Sequence, residues 1–452
     1  MGKVNHGLPS AIISHSSPSE TVQRCPPVPR VYNKLSLLHG VTPGHFIFPT
    51  MISMRLFRNS LYLATVLGHF CLDIFNSAGP VIVTFLSVPL AWSAAQIGLA
   101  VGAYQLASAL SQPGFGWWAD KVGSRWLGPG GVAWTIGLIV LSISVAQQTK
   151  SFPLFLFIFV VAGLGSGAFH PLGTKHAAEE AVHRAATGTA VFFLFGQTGL
   201  ASGPVLAGLL LGTVGLRGFD LLALATVPVI IFMFYAMRNT RPELHPSTGD
   251  VTAAAHRSSS RRWGAIVLLA ILIGLRSWAM IGTVAFLPKL FQDMGWQPLA
   301  YGAITGAYWM SSAIIGVFAG SWADRWGRRP VTFVTLAAGA IALFFLPLYD
   351  SWVAFLLSIL TGGLLGASHS VLVVIAQALL PGRPAFASGL TLGYLFGTGA
   401  VAAWGIGLLA EVWSLAVVIQ AGAALALISA ILALFLPTTR ETYQPQTEGV
   451  PA

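Results

Sequence analysis

Apolar runs of about twenty residues, each closed by a short polar or glycine-containing break, recur from residue 59 to residue 437. A helix of that length crosses the hydrocarbon core of a bilayer. Twelve such runs can be marked, at 59–88, 94–118, 128–147, 152–178, 186–213, 218–237, 264–291, 298–322, 330–349, 352–380, 385–410 and 413–437. Six lie on each side of a polar stretch at 238–262. The pattern predicts an all-α membrane protein with twelve transmembrane helices in two pseudo-symmetric six-helix halves. The expected order is a disordered tail (1–58), an N-terminal bundle (59–237), a linker (238–262), a C-terminal bundle (263–437) and a second tail (438–452).

The halves are copies. The stretch Gly102 to Arg125 returns as Gly306 to Arg329 at a constant offset of 204, with identical residues at eleven of 24 positions. They include Tyr104/Tyr308, Ser108/Ser312, Gly116/Gly320, Trp118/Trp322, Asp120/Asp324, Gly123/Gly327 and Arg125/Arg329. Many transporters build two halves around one central site from such a repeat.

Composition agrees with a bilayer setting, since 8% of residues are charged and 55% hydrophobic. A soluble domain carries roughly a quarter charged residues. The net charge of +10 raises a nucleic-acid partner, and the positions of the charges argue against one. Of the 24 Lys and Arg, 20 fall in the tails and in alternate connections, namely 120–126, 175–184, 238–262, 325–329, Arg383 and Arg440. Lys150, Arg217 and Lys289 fall in the opposite set, and Arg276 lies within a run. This asymmetry predicts cytoplasmic termini and a cytoplasmic central linker in a plasma (inner) membrane protein. Cys25 and Cys71 offer no disulfide framework. Residues 1–58 lack the pattern of a cleavable signal peptide, so the first helix is expected to direct insertion. The tail reads either as a disordered extension or as sequence upstream of a start at Met51 or Met54.

The repeat ends in Gly-x-x-x-Asp-(Lys/Arg)-x-Gly-x-Arg, placed between helices 2 and 3 and again between helices 8 and 9. Here the chain resembles the major facilitator superfamily. The loop glycines permit a tight turn, and the aspartate can pair with an arginine or a helix N-terminus. The resemblance implies that Asp120, Arg125, Asp324, Arg325 and Arg329 act as a conformational gate. Helix 5 carries Gly199, Gly203, Pro204 and Gly208, which look like the antiporter motif of drug/proton exporters in that superfamily, with Ala207 in place of a usual glycine. Glycines four apart admit a neighbouring helix, and the proline bends its own. Ordinary glycine packing remains the alternative, although the second half has no Gly-Pro at the matching place.

Ionisable residues inside the runs are His69 and Asp73 on helix 1, His170 on helix 4, Arg276 on helix 7 and His369 on helix 10. Each is costly in lipid and so marks a candidate site. In the superfamily these four helices line the central cavity. His69 and Asp73, four apart, share a helix face and can trade a proton; a carboxylate satisfied by Asn76 is the other reading. Arg276 can pair with Asp73 across the cavity or bind an anionic substrate through its guanidinium. His170 and His369 are near repeat partners that can bind substrate or relay protons, with packing against a hydroxyl as the alternative. Tyr104, Gln105, Tyr308 and Gln197 can add hydrogen bonds to a solute.

His-Phe-Cys-Leu-Asp on helix 1, Gly-Ser-Gly-Ala-Phe-His-Pro on helix 4 and Gln377 to Arg383 before helix 11 together resemble the fosmidomycin resistance group of facilitators. Ser124 and the long N-terminal tail depart from its pattern. The resemblance implies proton-driven efflux of a small drug-like or phosphonate-like anion, and Arg276 suits an anion. Proton-coupled uptake shares the same fold and charges and stays open. An intramembrane hydrolase is the rival from another class: Ser166 and His170 can face each other, but no oxyanion-hole motif accompanies them. His-Glu-x-x-His and the phosphate-cradling Gly-x-x-x-x-Gly-Lys are absent from the sequence. The expectation is a monomeric transporter of a small molecule, with protons and lipid as partners and with no catalytic residues, no cofactor, no metal and no nucleic acid.

Overall fold

In the computed structural model, the structure describes residues 57–123, 125–179, 185–240, 260–379 and 384–436. The tails, most of the linker, Ser124, residues 380–383 and the side chain of Asp120 lie outside the described set. All described residues belong to one compact unit, Met51–Ala452.

Twelve long helices follow the twelve apolar runs. They are α1 (Ser60–Leu90), α2 (Ala94–Val122), α3 (Leu127–Thr149), α4 (Phe152–Glu179), α5 (Ala185–Thr213), α6 (Gly218–Met237), α7, α8 (Pro298–Trp326), α9 (Arg328–Phe345), α10 (Trp352–Leu379), α11 (Pro384–Leu409) and α12 (Leu415–Ala433). Helix α7 runs from Ser260–Ser277 through a π turn, Trp278–Gly282, into Thr283–Asp293. Eleven of the twelve are long and apolar enough to cross a membrane on their own composition. The exception is α2, where Gln96, Tyr104, Gln105, Ser108, Ser111, Gln112, Asp120 and Lys121 dilute the apolar content. It spans the bundle because its polar face is covered by other helices, notably α4 and α11.

Local chemistry explains the ends. Asn59 caps α1 by accepting from the N–H groups of Leu61 and Tyr62, and Ser93 with Gln96 forms a reciprocal capping box on α2. The repeated loops stop α2 and α8 alike: Gly123 (φ 79°) and Gly327 (φ 94°) turn the chain in a backbone region that favours glycine, and their N–H groups bond the carbonyls of Ala119 and Ala323. Helix α1 is the most enclosed, with 83% of its apolar window buried, whereas α6 has 17% and faces outward.

The halves meet along two seams related by the repeat. A Cβ on Gly98 of α2 would collide with the carbonyl of Ala403 and stand 3.2 Å from Gly407 Cα, both on α11. A Cβ on Gly302 of α8 would likewise collide with the carbonyl of Pro204 and stand 3.0 Å from Gly208 Cα, both on α5. One turn on, Gly102 abuts the carbonyl of Ala400, and Gly306 that of Ala201. Backbone therefore touches backbone at both seams, which only glycine allows. The seams lie where α2 and α8 begin and α5 and α11 end, at the face of the molecule opposite the termini. Two side-chain bonds reinforce that face: Gln292 Nε2 donates to the Thr84 carbonyl, and Glu411 Oε1 accepts from the Ala95 N–H. Toward the other face, among the described residues, α4 and α10 pack substantially only within their own halves. The halves are therefore joined along the face where α2 and α8 begin.

Candidate functional site

Helix α1 brings His69 and Asp73 to the interior, 3% and 5% exposed. His69 Nε2 lies 3.2 Å from Asp73 Oδ2, as their four-residue spacing requires. The third member comes from α4: His170 Nε2 lies 3.6 Å from Asp73 Oδ1. Both imidazoles are oriented from behind by backbone. His69 Nδ1 meets the Phe192 carbonyl and His170 Nδ1 the Ser166 carbonyl, each at 2.8 Å. A carbonyl only accepts, so each Nδ1 carries hydrogen and each Nε2 points at the carboxylate. Tyr104 donates its hydroxyl to Asn76 Oδ1 at 2.5 Å, which turns the Asn76 amide nitrogen onto Asp73 Oδ1 at 2.8 Å and Ser166 Oγ at 3.2 Å. Ser108 closes the network through Ser166 Oγ at 3.1 Å. Asp73 thus engages two imidazoles as well as Asn76.

The glycines of α5 shape the floor of this cluster. A side chain on Gly196 would strike the His69 ring, one on Gly199 would reach the Phe70 carbonyl and Asp73 Cβ, and one on Gly203 would strike the Ile74 carbonyl and the Ser77 hydroxyl. Gly208 continues the row against Pro298 of the other half. The row that includes Gly199, Gly203, Pro204 and Gly208 therefore touches both the Asp73 cluster and the inter-half seam.

The second half holds a different chemistry at the equivalent place. Arg276 on α7 is wholly buried. Its Nε donates to the Leu365 carbonyl (3.2 Å) and the Ser368 hydroxyl (3.0 Å), and Nη2 to the same carbonyl (3.0 Å). Nη1 has no hydrogen-bond partner among the described residues. Among the described residues Arg276 forms no ion pair, and Asp73 is engaged within its own half, so the Asp73–Arg276 bridge is not made in this conformation. Tyr308, the repeat partner of Tyr104, donates to the Met280 carbonyl at 3.2 Å. Residue 280 is the 204-offset equivalent of residue 76, so the same hydroxyl meets a side-chain amide in one half and a main-chain carbonyl at the π turn in the other. His369 sits beside Phe396 (ring centroids 6.5 Å) and is half-buried. Gln105 is half-buried with its Oε1 unsatisfied, and Gln197 is half-buried on α5.

At the face opposite the seams the arginines of the repeated loops stack on tryptophans: Arg125 lies 4.9 Å from the Trp126 ring and Arg325 5.8 Å from that of Trp326. Asp324 is exposed and forms no ion pair among the described residues, and Arg329 is half-buried. Phe192, Gly196 and the carbonyl of Leu365 are structural partners that sequence reasoning missed, and for Phe192 and Leu365 no sequence signal marks them. Gly196 lies three residues before Gly199, and that spacing alone could have flagged it.

Two six-helix halves, joined by glycine seams around buried ionisable side chains, have the build of a membrane transporter. The chain belongs to the Major Facilitator Superfamily, whose family model matches residues 62–289 and 266–452. It is 28% identical over 381 residues to the fosmidomycin resistance protein of Escherichia coli (strain K12), covering 83% of this chain and 92% of that one. It is 26% identical over 409 residues to an uncharacterised MFS-type transporter, YfnC, of Bacillus subtilis (strain 168), covering 88% and 95%. Among solved structures, a bacterial homologue of the lysosomal transporter Spinster, inward-facing and occupied, superposes with a TM-score of 0.67 at 14% identity, covering 86% of this chain and 99% of that chain. The inward-open xylose transporter XylE from E. coli gives 0.66 at 15% identity, with 84% and 97% covered. These relatives and neighbours are transporters, and the hydrolase reading is set aside.

Proposed function

We propose that this protein exports a small anionic compound of the phosphonate kind in exchange for protons, by alternating access between its two halves. The observation that carries the reading is Arg276. A lone charge at membrane depth costs about 3 kcal/mol on insertion scales, and among the described residues this one has an open N–H group and no carboxylate partner. An anion entering the cavity would supply the missing acceptor. The Asp73, His69 and His170 cluster in the opposite half is the candidate proton site, with Tyr104 and Asn76 orienting it. Substrate and protons then bind separate halves and compete through the conformation each favours. Proton-driven efflux is supported by the glycine row of α5 and by the name of the relative from E. coli. With cytoplasmic termini, as the Lys/Arg asymmetry supports, the seamed face is the outward one and the repeated gate loops lie at the inward face.

The test uses inverted membrane vesicles, fosmidomycin as probe and an imposed pH difference, acid inside. Wild-type vesicles should accumulate the probe. Arg276→Ala removes a charge-assisted bond worth about 1.5–3 kcal/mol, so apparent affinity should fall about ten- to a hundredfold with expression retained. Unchanged transport and melting in Arg276→Ala would remove the residue from the site, and proton-driven loss of the probe from wild-type vesicles would reverse the assigned direction.

A further inference from the structure

We propose that His69, Asp73 and His170 form a binding site for one divalent transition-metal cation of the Zn2+ class, with one coordination position open to the cavity. The cluster offers three ligand atoms, two imidazole nitrogens and one carboxylate oxygen, all within 4.8 Å of one another. Zinc holds such atoms at about 2.0–2.1 Å, which in tetrahedral geometry spaces neighbouring ligands roughly 3.3–3.4 Å apart. The two histidine–carboxylate distances, 3.2 Å from His69 to Oδ2 and 3.6 Å from His170 to Oδ1, bracket that spacing, and a small turn of the carboxylate would bring one oxygen to both imidazoles. The third edge, between the two imidazoles, also lies within 4.8 Å and would shorten as the ion binds.

The surroundings are those of a metal site. Metal-bound histidines as a rule donate their other ring N–H to a carbonyl or carboxylate, which fixes the tautomer and aims the lone pair. Both histidines do so here, through Phe192 and Ser166. Asn76 holds the carboxylate in the same way, and Tyr104 holds Asn76. Two Nε2 atoms converging on a buried carboxylate need a cation between them. Protons can serve, and a divalent ion can take their place. Two imidazoles with a single carboxylate and no thiolate select zinc, nickel or cobalt over magnesium or calcium. Three protein ligands leave the fourth tetrahedral position on the exposed side of His170, where water or a cavity solute would bind.

The proposal is independent of the transported compound and of its direction, so it is tested without transport. Full-length protein, purified without a polyhistidine tag and stripped with a chelator, is equilibrated with Zn2+ and its metal counted against Asp73→Asn, His170→Gln and His176→Gln. Wild type and His176→Gln should retain one more zinc per chain than either cluster variant. X-ray absorption of the zinc-loaded wild type should show two imidazole nitrogens with oxygen and no sulfur in the first shell. Equal zinc in wild type and well-folded cluster variants overturns the site. If those variants do not fold, the wild-type spectrum decides alone: a sulfur ligand, or fewer than two imidazoles, overturns it.

Discussion

At the scale of single residues, Asp73 is the group whose charge most readily connects protons to conformation. A carboxylate that alternates between a wet and a dry setting can be loaded in one state and emptied in the other, which lets a proton gradient bias the two. Asp73→Asn imitates the loaded form permanently. Vesicles carrying it should exchange labelled fosmidomycin for unlabelled at a rate near wild type, yet build no gradient when a pH difference is imposed. Full pH-driven accumulation would move the proton to His170 or His369. The sequence made part of this site legible: four-residue spacing put His69 beside Asp73, and Arg276 announced itself by its cost in lipid. It could not place His170 against Asp73, because that contact depends on how α4 leans on α1. It also left Arg276 free to pair with Asp73, whereas in this conformation Leu365 and Ser368 hold the guanidinium.

At the scale of elements, glycine decides where helices touch. The seam between α8 and α5 sets Gly302 against main-chain atoms of Pro204 and Gly208, which cannot swing aside as a side chain could. Gly302→Val would wedge the seam at a cost of about 1–3 kcal/mol. That should shift the population toward the state parted at this face. A cysteine introduced near residue 84, in a background lacking Cys25 and Cys71, should then react faster with an impermeant thiol reagent in the variant. Equal rates would show that the seam is not the closure. Helix positions were readable from apolar length because lipid forces every backbone group into a helix. The π turn of α7 was not, since Trp278–Gly282 reads like any apolar helical segment. Nor was the pairing of α2 with α11, which distant glycines settle together.

At the scale of the whole molecule, orientation follows from charge. Tags at residue 250 and in both tails should be cytoplasmic, and tags near residues 90, 150 and 293 should face the other way. Labelling of residue 250 by an impermeant reagent from outside intact cells would invert the assignment, and with it the side of the membrane that the glycine seams face. The two halves also carry a history. Tyr104 and Tyr308 stand at one ancestral position inherited twice, and their hydroxyls still reach the same point on the first helix of each half. What they meet has diverged: an amide that steadies an acid in one copy, a bare carbonyl beside a fixed cation in the other. The same tyrosine thus stands by an acid flanked by imidazoles in one half and by a guanidinium in the other, so Tyr104→Phe and Tyr308→Phe should not be equivalent.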